Sequence, residues 1–359
     1  MKLLVVEPYY GGSHKAFLDD LLRQLPHDAD LLTLPPAQHW KWRMRLAAPY
    51  FAAKLRERPA GEGQGYDAIF CSSFVDVAVF RGMLPQHLAA LPLLVYFHEN
   101  QFAYPVQVAE ERDVHFALTN LTTALAADKV AFNSRYNLES FLSGAEELLA
   151  RMPDMALPGW EAALRAKAMV LHPGLVDFRG IDATPAAPPA GGPAVVLWNH
   201  RWEHDKDPEF FFRTLFALAE QGIDFRLIVL GQSFRSQPPI FAEAATRLAS
   251  RIIHFGYAPT RGEYCRLLRK ADVVVSSARH EFYGMAMLEA VRAGCRPLVP
   301  DRLSYQELFP AQFRYQDEEF AQRLYQSLDA GRLAAEEARE LTAPYAWPAV
   351  MPEYLRWFA

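Results

Sequence analysis

The chain has 359 residues, 51% of them hydrophobic, which is enough for two domains with real cores and too much for a disordered chain. Its formal net charge of −5 gives it no global basic character, so any contact with nucleic acid must come from a local patch. Three distant cysteines (Cys71, Cys265, Cys295) make neither a disulfide framework nor a C-x2-C metal site, and no apolar run nears the ~18 residues of a membrane span, which together predict a soluble protein of a reducing cytoplasm. Met1-Lys-Leu-Leu-Val-Val-Glu7 meets charge too soon for a signal peptide and instead reads as the opening strand, Lys2–Glu7. Pro8-Tyr-Tyr-Gly-Gly-Ser-His14 follows, then a helix to about Leu25. Glycines in a first strand–helix turn let a ligand approach the backbone, although an isolated Gly-Gly is more simply a tight turn. A second strand is expected at Asp30–Leu34. Between Lys41 and Arg58 six basic residues stand against one acidic residue, Glu57, and 57–66 reads as loop. Further strands fall at Asp67–Ser72, Leu93–Phe97, Lys129–Phe132 and Ala168–Leu171, with helices near 113–127 and 136–150.

The stretch from Asp177 to Pro193 ends in Pro-Ala-Ala-Pro-Pro-Ala-Gly-Gly-Pro and reads as a linker. A second alternating unit follows it. Strands are expected at Ala194–Trp198, Phe225–Leu230, Arg251–Phe255, Asp272–Ser276 and Pro297–Val299, with helices near 207–221, 239–249, 260–270 and 285–293. The aromatic tail predicts a terminal packing helix. The expected organisation is therefore α/β: a first Rossmann-like domain at 1–176, a linker at 177–193, a second Rossmann-like domain at 194–345 facing the first across a cleft, and a C-terminal helix at 346–359.

Several groups stand at strand ends, where open α/β sheets bind ligands. Glu281 and Glu289 are eight residues apart across Phe282-Tyr-Gly284 and the start of a helix, with the N–H groups of Tyr283 to Met287 between them. Either glutamate alone is most simply a solvated residue; the pair in a strand–loop–helix setting is more specific. Arg201 and Lys206, five apart after the first strand of the second domain, offer a bidentate fork and a point charge that can reach a pyrophosphate, although taken alone a solvated basic loop describes them equally well. His98 in Tyr96-Phe-His-Glu-Asn-Gln101 is placed to orient a hydroxyl, where a lone histidine is otherwise structural. His200 and His204 lack a third metal ligand, and Asp28-Ala-Asp30 precedes a strand rather than following one, so no metal is expected.

The Glu281/Glu289 pair resembles the E-x7-E motif of retaining GT-B glycosyltransferases of the family 4-like group, and Arg201/Lys206 resembles that group's R-x4-K pair. More specific blocks extend the likeness: Glu7-Pro-Tyr-Tyr-Gly-Gly-Ser-His-Lys15, His39-Trp-Lys-Trp-Arg43, Tyr96–Gln101, Phe132-Asn-Ser134 with Asn137-Leu-Glu-Ser-Phe141, and Trp198–Lys206. Together they resemble the tRNA-queuosine α-mannosyltransferase family over most of the chain, apart from 57–66 and 143–193.

The resemblance implies retaining transfer of mannose from GDP-mannose to queuosine at the wobble position of tRNA(Asp), without a metal or other cofactor, a membrane or a protein partner. It implies that Glu281 binds donor hydroxyls, Glu289 the ribose, Arg201 and Lys206 the leaving phosphates, and that His98 belongs to the active site. On the donor side it places Gly11, Gly12, His200, Gly231, Gln232, Tyr257, Ala258, Phe282, Tyr283, Gly284, Met285 and Ala286. On the tRNA side it places His14, Trp40, Lys41, Trp42, Arg43, Arg45 and Asn133, although aromatic core plus solvated arginines describes that basic block equally well. Alternatives are a GT-B transferase with another donor sugar or a small-molecule or lipid acceptor, and a tRNA-binding module without turnover.

Overall fold

A computed structural model describes residues 1–36, 40–58, 65–105, 113–152, 154, 156–176, 192–234 and 237–359. Twelve strands form among them: β1 (Lys2–Glu7), β2 (Asp28–Thr33), β3 (Ala68–Ser72), β4 (Leu93–Phe97), β5 (Lys129–Phe132), β6 (Ala168–Val170), β7 (Val195–Asn199), β8 (Arg226–Leu230), β9 (Ile252–Gly256), β10 (Val273–Val275), β11 (Arg296–Pro300) and β12 (Arg314–Tyr315). They pair in parallel as two six-stranded sheets, β2-β1-β3-β4-β5-β6 and β12-β11-β10-β7-β8-β9. The chain divides into two compact units, Met1–Gly174 with Val350–Ala359, and Leu175–Ala349. Each is an open, doubly wound α/β sheet, and the pair of units is the GT-B fold.

The cores follow from strands whose residues are apolar on both faces. In the second sheet Val195, Leu197, Ile228 and Val274 point into one cluster, packed by the helices Arg261–Lys270 and Met285–Arg292. Their neighbours Val196, Trp198, Val229, Val273 and Val275 point into the opposite one, packed by the helix Pro208–Glu220. Alternating side chains thus bury both faces, which is why these strands read as continuous apolar runs. In the first sheet one face (Leu4, Val6, Ile69, Val95, Phe97) meets the helices Trp40–Arg56 and Arg135–Leu149. The other face is covered by the helix Gly12–Gln24 and by the chain's last helix, Trp347–Phe358. There Phe17 stacks on Tyr96 at 4.4 Å, and Trp357 sets its edge against Phe70 at 5.8 Å. The Tyr354 hydroxyl donates to the carbonyl of His172 at 3.1 Å. The aromatic tail is therefore part of the first unit's core.

Strand positions expected from sequence form with shifts of one or two residues. The largest shift is β2, which starts at Asp28 because Lys2 of β1 pairs there; as an edge strand it tolerates polar Asp28 and Asp30. The basic stretch at 40–56, given no element from sequence, is a helix despite Pro49; Met44, Ala47, Ala48, Phe51, Ala52 and Leu55 recur on its buried side. His39 and most of the expected linker, 177–191, lie outside the described residues. No helix among the described residues is long and apolar enough to cross a membrane.

Candidate active site

In each sheet the strand order reverses once, beside β1 in the first (β1 next to β3) and beside β7 in the second (β7 next to β10). Loops leaving the carboxyl ends of such neighbours turn to opposite faces and open a crevice between them. Of the expected site residues, Gly11, Gly12 and His14 follow β1, His200, Arg201 and Lys206 follow β7 and Glu281 follows β10, whereas His98 follows β4, Gln232 follows β8 and Tyr257 follows β9.

In the second unit Asn199 ends β7, the loop after it carries His200, Arg201 and Lys206, and the loop after β10 carries Glu281. Lys206 is 6% exposed, and its ammonium meets the His280 carbonyl at 2.6 Å, Asp205 at 3.1 Å and Glu281 at 3.3 Å. Those contacts occupy all three of its donors, so toward a phosphate it acts as a charge unless it gives one up. Burial opposes the charge on Glu281, but facing Lys206 and accepting from the Tyr283 N–H at 3.3 Å bring its carboxyl down to about 2. Burial against the Lys206 charge lowers His200 to about 4, leaving it neutral, and its Nε2 has no hydrogen-bond partner among the described residues. The two loops are tied together by Arg279 and His280 N–H groups on the Asp205 carbonyl (2.9 and 3.3 Å) and by Ser277 Oγ on the Lys206 carbonyl (2.7 Å). Arg201 is half exposed and pairs with Glu203 at 3.0 Å.

Gly231 holds this loop from below. It has φ +146°, and a Cβ there would lie 1.7 Å from the His200 carbonyl oxygen, so only glycine fits. Beyond it Gln232 is exposed and accepts the Trp202 N–H at 3.0 Å. Gly284, at φ +104°, starts the Met285–Arg292 helix with no side-chain cap. The row of open N–H groups expected from Tyr283 to Met287 is shorter than that: Tyr283 N–H is on Glu281, and Met287 N–H is on the Gly284 carbonyl. Among the described residues the N–H groups of Gly284, Met285 and Ala286 remain to meet a ligand, flanked by buried Phe282 and Tyr283. Glu289 is held by Arg261 Nη2 at 2.5 Å and by the Tyr264 hydroxyl at 2.6 Å. Asn199 Nδ2 donates to that same hydroxyl at 2.8 Å, joining the two ends of the site. Sequence reasoning missed Tyr264 and Arg261; their one-turn spacing at the start of a helix was the available signal. Tyr257 is 67% exposed and Ala258 is buried.

In the first unit Glu7 ends β1 and His98 follows β4. His14 is 5% exposed, so it is not part of an open tRNA-facing surface; its Nδ1 lies 3.2 Å from Glu7 and its Nε2 3.8 Å from Glu99. Burial disfavours its charge, but the two carboxylates prevail and raise it to about 10. The His98 ring lies over it, centroids 4.0 Å apart, and is kept neutral by burial and by the His14 charge. Among the described residues Glu7, His14 and His98 are the set that could offer ligands to a metal, their ligand atoms within 4.8 Å of one another. The His14–Glu7 pair already satisfies that charge. Asn133 donates to the His98 carbonyl at 2.6 Å, and Asn137 donates to Asn133 Oδ1 at 2.9 Å, so Asn133 braces the His98 loop from within. Gly11 faces Pro36, with a Cβ placed 2.6 Å from its ring, so packing alone requires glycine there; Gly12 opens the helix at φ +53°.

On the Trp40–Arg56 helix the two tryptophans part company. Trp40 packs against Tyr104 and Phe116 at 5.7 and 5.6 Å, whereas Trp42 is 62% exposed. Lys41 is exposed, Arg43 reaches the Pro8 carbonyl at 3.4 Å, and Arg45 pairs with Asp113 at 2.6 Å.

Comparison with known proteins separates the two units. Residues 2–175 match a family described as tRNA-queuosine alpha-mannosyltransferase N-terminal, and 182–330 match glycosyl transferases group 1. A tRNA-queuosine alpha-mannosyltransferase of Drosophila melanogaster is 36% identical over 322 residues, 87% of this chain and 83% of that protein. A GDP-mannose:cellobiosyl-diphosphopolyprenol alpha-mannosyltransferase of Xanthomonas campestris is 27% identical over only 30% of this chain and 28% of its own. Among solved structures, a sucrose-phosphate synthase from Thermosynechococcus elongatus superposes with a TM-score of 0.70 at 16% identity, covering 100% of this chain and 98% of that one. A lipopolysaccharide outer core galactosyltransferase does so at 0.69 and 11%, covering 100% and 99%.

Proposed function

Because the chain belongs to the tRNA-queuosine α-mannosyltransferase family of GT-B glycosyltransferases, we propose that it moves mannose from GDP-mannose to queuosine at the wobble position of tRNA(Asp), with retention. The observation that carries the donor half is the Lys206–Glu281 pair at the β7/β10 reversal, beside the uncapped start of the Met285–Arg292 helix. A leaving diphosphate meets Arg201, the Lys206 charge and the N–H groups of Gly284 to Ala286, which disperse the charge that develops as the glycosidic bond breaks. Glu281 is ionised at neutral pH and therefore accepts hydroxyls of the sugar. With leaving phosphate and incoming hydroxyl on one face of the sugar, the configuration is kept without an enzymic nucleophile, so Glu281 is not the covalent carboxylate of a glycosidase. Glu289 binds the ribose after Arg261 yields one of its oxygens. Neutral His98 orients a sugar hydroxyl.

Lys41, Arg43 and Arg45 contact acceptor phosphates in this reading. Replacing all three weakens tRNA binding and reduces its salt slope by about 0.7–0.9 per lost contact; unchanged affinity would remove them from the interface. The deciding experiment offers GDP-mannose and UDP-galactose with queuosine-containing tRNA and weighs the released nucleoside. A hexose added only from GDP-mannose supports donor and acceptor together. Galactose addition overturns the donor, and GDP-mannose binding without transfer overturns the acceptor.

A further inference from the structure

The Trp40–Arg56 helix spends one side on the core of the first unit and leaves another unused. Trp42, Leu46 and Tyr50 are four residues apart, hence on one face, and are exposed at 62%, 55% and 45%. Single exposed apolar residues are ordinary; three in register on one helix form a surface. The same helix carries Lys41, Arg43, Arg45, Lys54 and Arg56 and no carboxylate, in a chain whose net charge is −5. Aromatic groups interleaved with cations are what unpaired nucleic acid requires, since every base has a face to stack and every phosphate a charge to meet.

We propose that Trp42, Leu46 and Tyr50 form a stacking platform for consecutive unpaired nucleotides of the acceptor RNA, with the flanking cations on its backbone. The inference rests on the acceptor being a tRNA, and adds how its single-stranded loop is held. Four residues at 1.5 Å rise put successive side chains ~6 Å apart along the helix. That approaches the ~7 Å occupied by two stacking intervals of ~3.4 Å when a side chain enters between neighbouring bases. An anionic bilayer is the competing occupant of an apolar and basic helix, but three side chains offer little area for insertion. The whole helix also lies within the span matched by the tRNA-queuosine family's N-terminal model.

The test compares wild type with Trp42→Ala, Leu46→Ser and Tyr50→Ala. Binding is measured to a queuosine-containing anticodon stem-loop and to duplex RNA of equal length, over a range of salt, with flotation on phosphatidylserine vesicles alongside. Because the altered side chains are exposed, thermal melts should match wild type. The proposal expects Trp42→Ala and Tyr50→Ala each to weaken stem-loop binding about 10-fold, with an unchanged salt slope and a smaller effect on duplex RNA. In the transfer assay the KM for tRNA rises while kcat and the donor KM hold. Unchanged stem-loop affinity, an equal loss on duplex RNA, or loss of vesicle flotation in place of RNA binding would each overturn it. Absence of transfer by wild type counts against the acceptor reading, whereas the binding comparison still decides the platform.

Discussion

Replacing Glu281 by Gln keeps the side chain's size and removes the charge facing Lys206. Burial alone would hold this carboxyl above its ordinary value of 4.5; the Lys206 ammonium at 3.3 Å overrides that and brings it to about 2. That depression corresponds to native-state stability on the order of a few kcal/mol. Its sign follows from proton uptake: between the two values the unfolded chain binds the proton and the native chain does not. The contribution is therefore complete above about pH 4.5 and disappears as pH falls toward about 2. Urea unfolding of wild type and Glu281→Gln across that range is the assay. The variant is expected to be less stable at pH 7 by on the order of a few kcal/mol, with the gap closing on acidification. Transfer should fall on the order of 100- to 1,000-fold while GDP binding persists. A gap that stayed constant with pH, or no gap at pH 7, would refute the Lys206–Glu281 account.

Gly231→Ala should be disruptive, because its Cβ would fall 1.7 Å from the His200 carbonyl at a φ of +146°. A loss of about 2–4 kcal/mol by chemical unfolding, with weakened GDP binding, is expected; near-wild-type behaviour would mean the His200 loop is not seated on β8. Tyr264→Phe removes the hydroxyl shared by Asn199 and Glu289. The cost should be about 1–3 kcal/mol, with a higher donor KM at nearly constant kcat; a pure kcat effect would argue against ribose binding at Glu289. His14 should stay protonated through neutral pH, since Glu7 and Glu99 raise it to about 10 despite burial. Imidazole NMR should show no His14 transition between pH 6 and 8 in wild type, and one at lower pH in Glu7→Gln. An ordinary titration in wild type would contradict the ion pair.

Much of the fold was legible because its strands are apolar on both faces and its helices on one, patterns written in adjacent residues. The helix Trp40–Arg56 escaped that reading, since Pro49 and five cations blur its periodicity and only packing against the first sheet shows which side is inside. Its two tryptophans are equivalent in sequence, and one became core while the other stayed at the surface.

By itself the sequence determined the two alternating α/β halves, the family, and the positions in the chain of Arg201, Lys206, Glu281 and Glu289. Tertiary structure decided what those groups are free to do. Lys206 and Glu281 are 75 residues apart and Glu7 and Glu99 are 92 apart, yet parallel pairing brings each pair to one sheet edge. There burial and mutual charge set protonation, saturate the Lys206 donors and hold Glu289 against Arg261. Those effects depend on distances across the sheet, which no local pattern of residues contains.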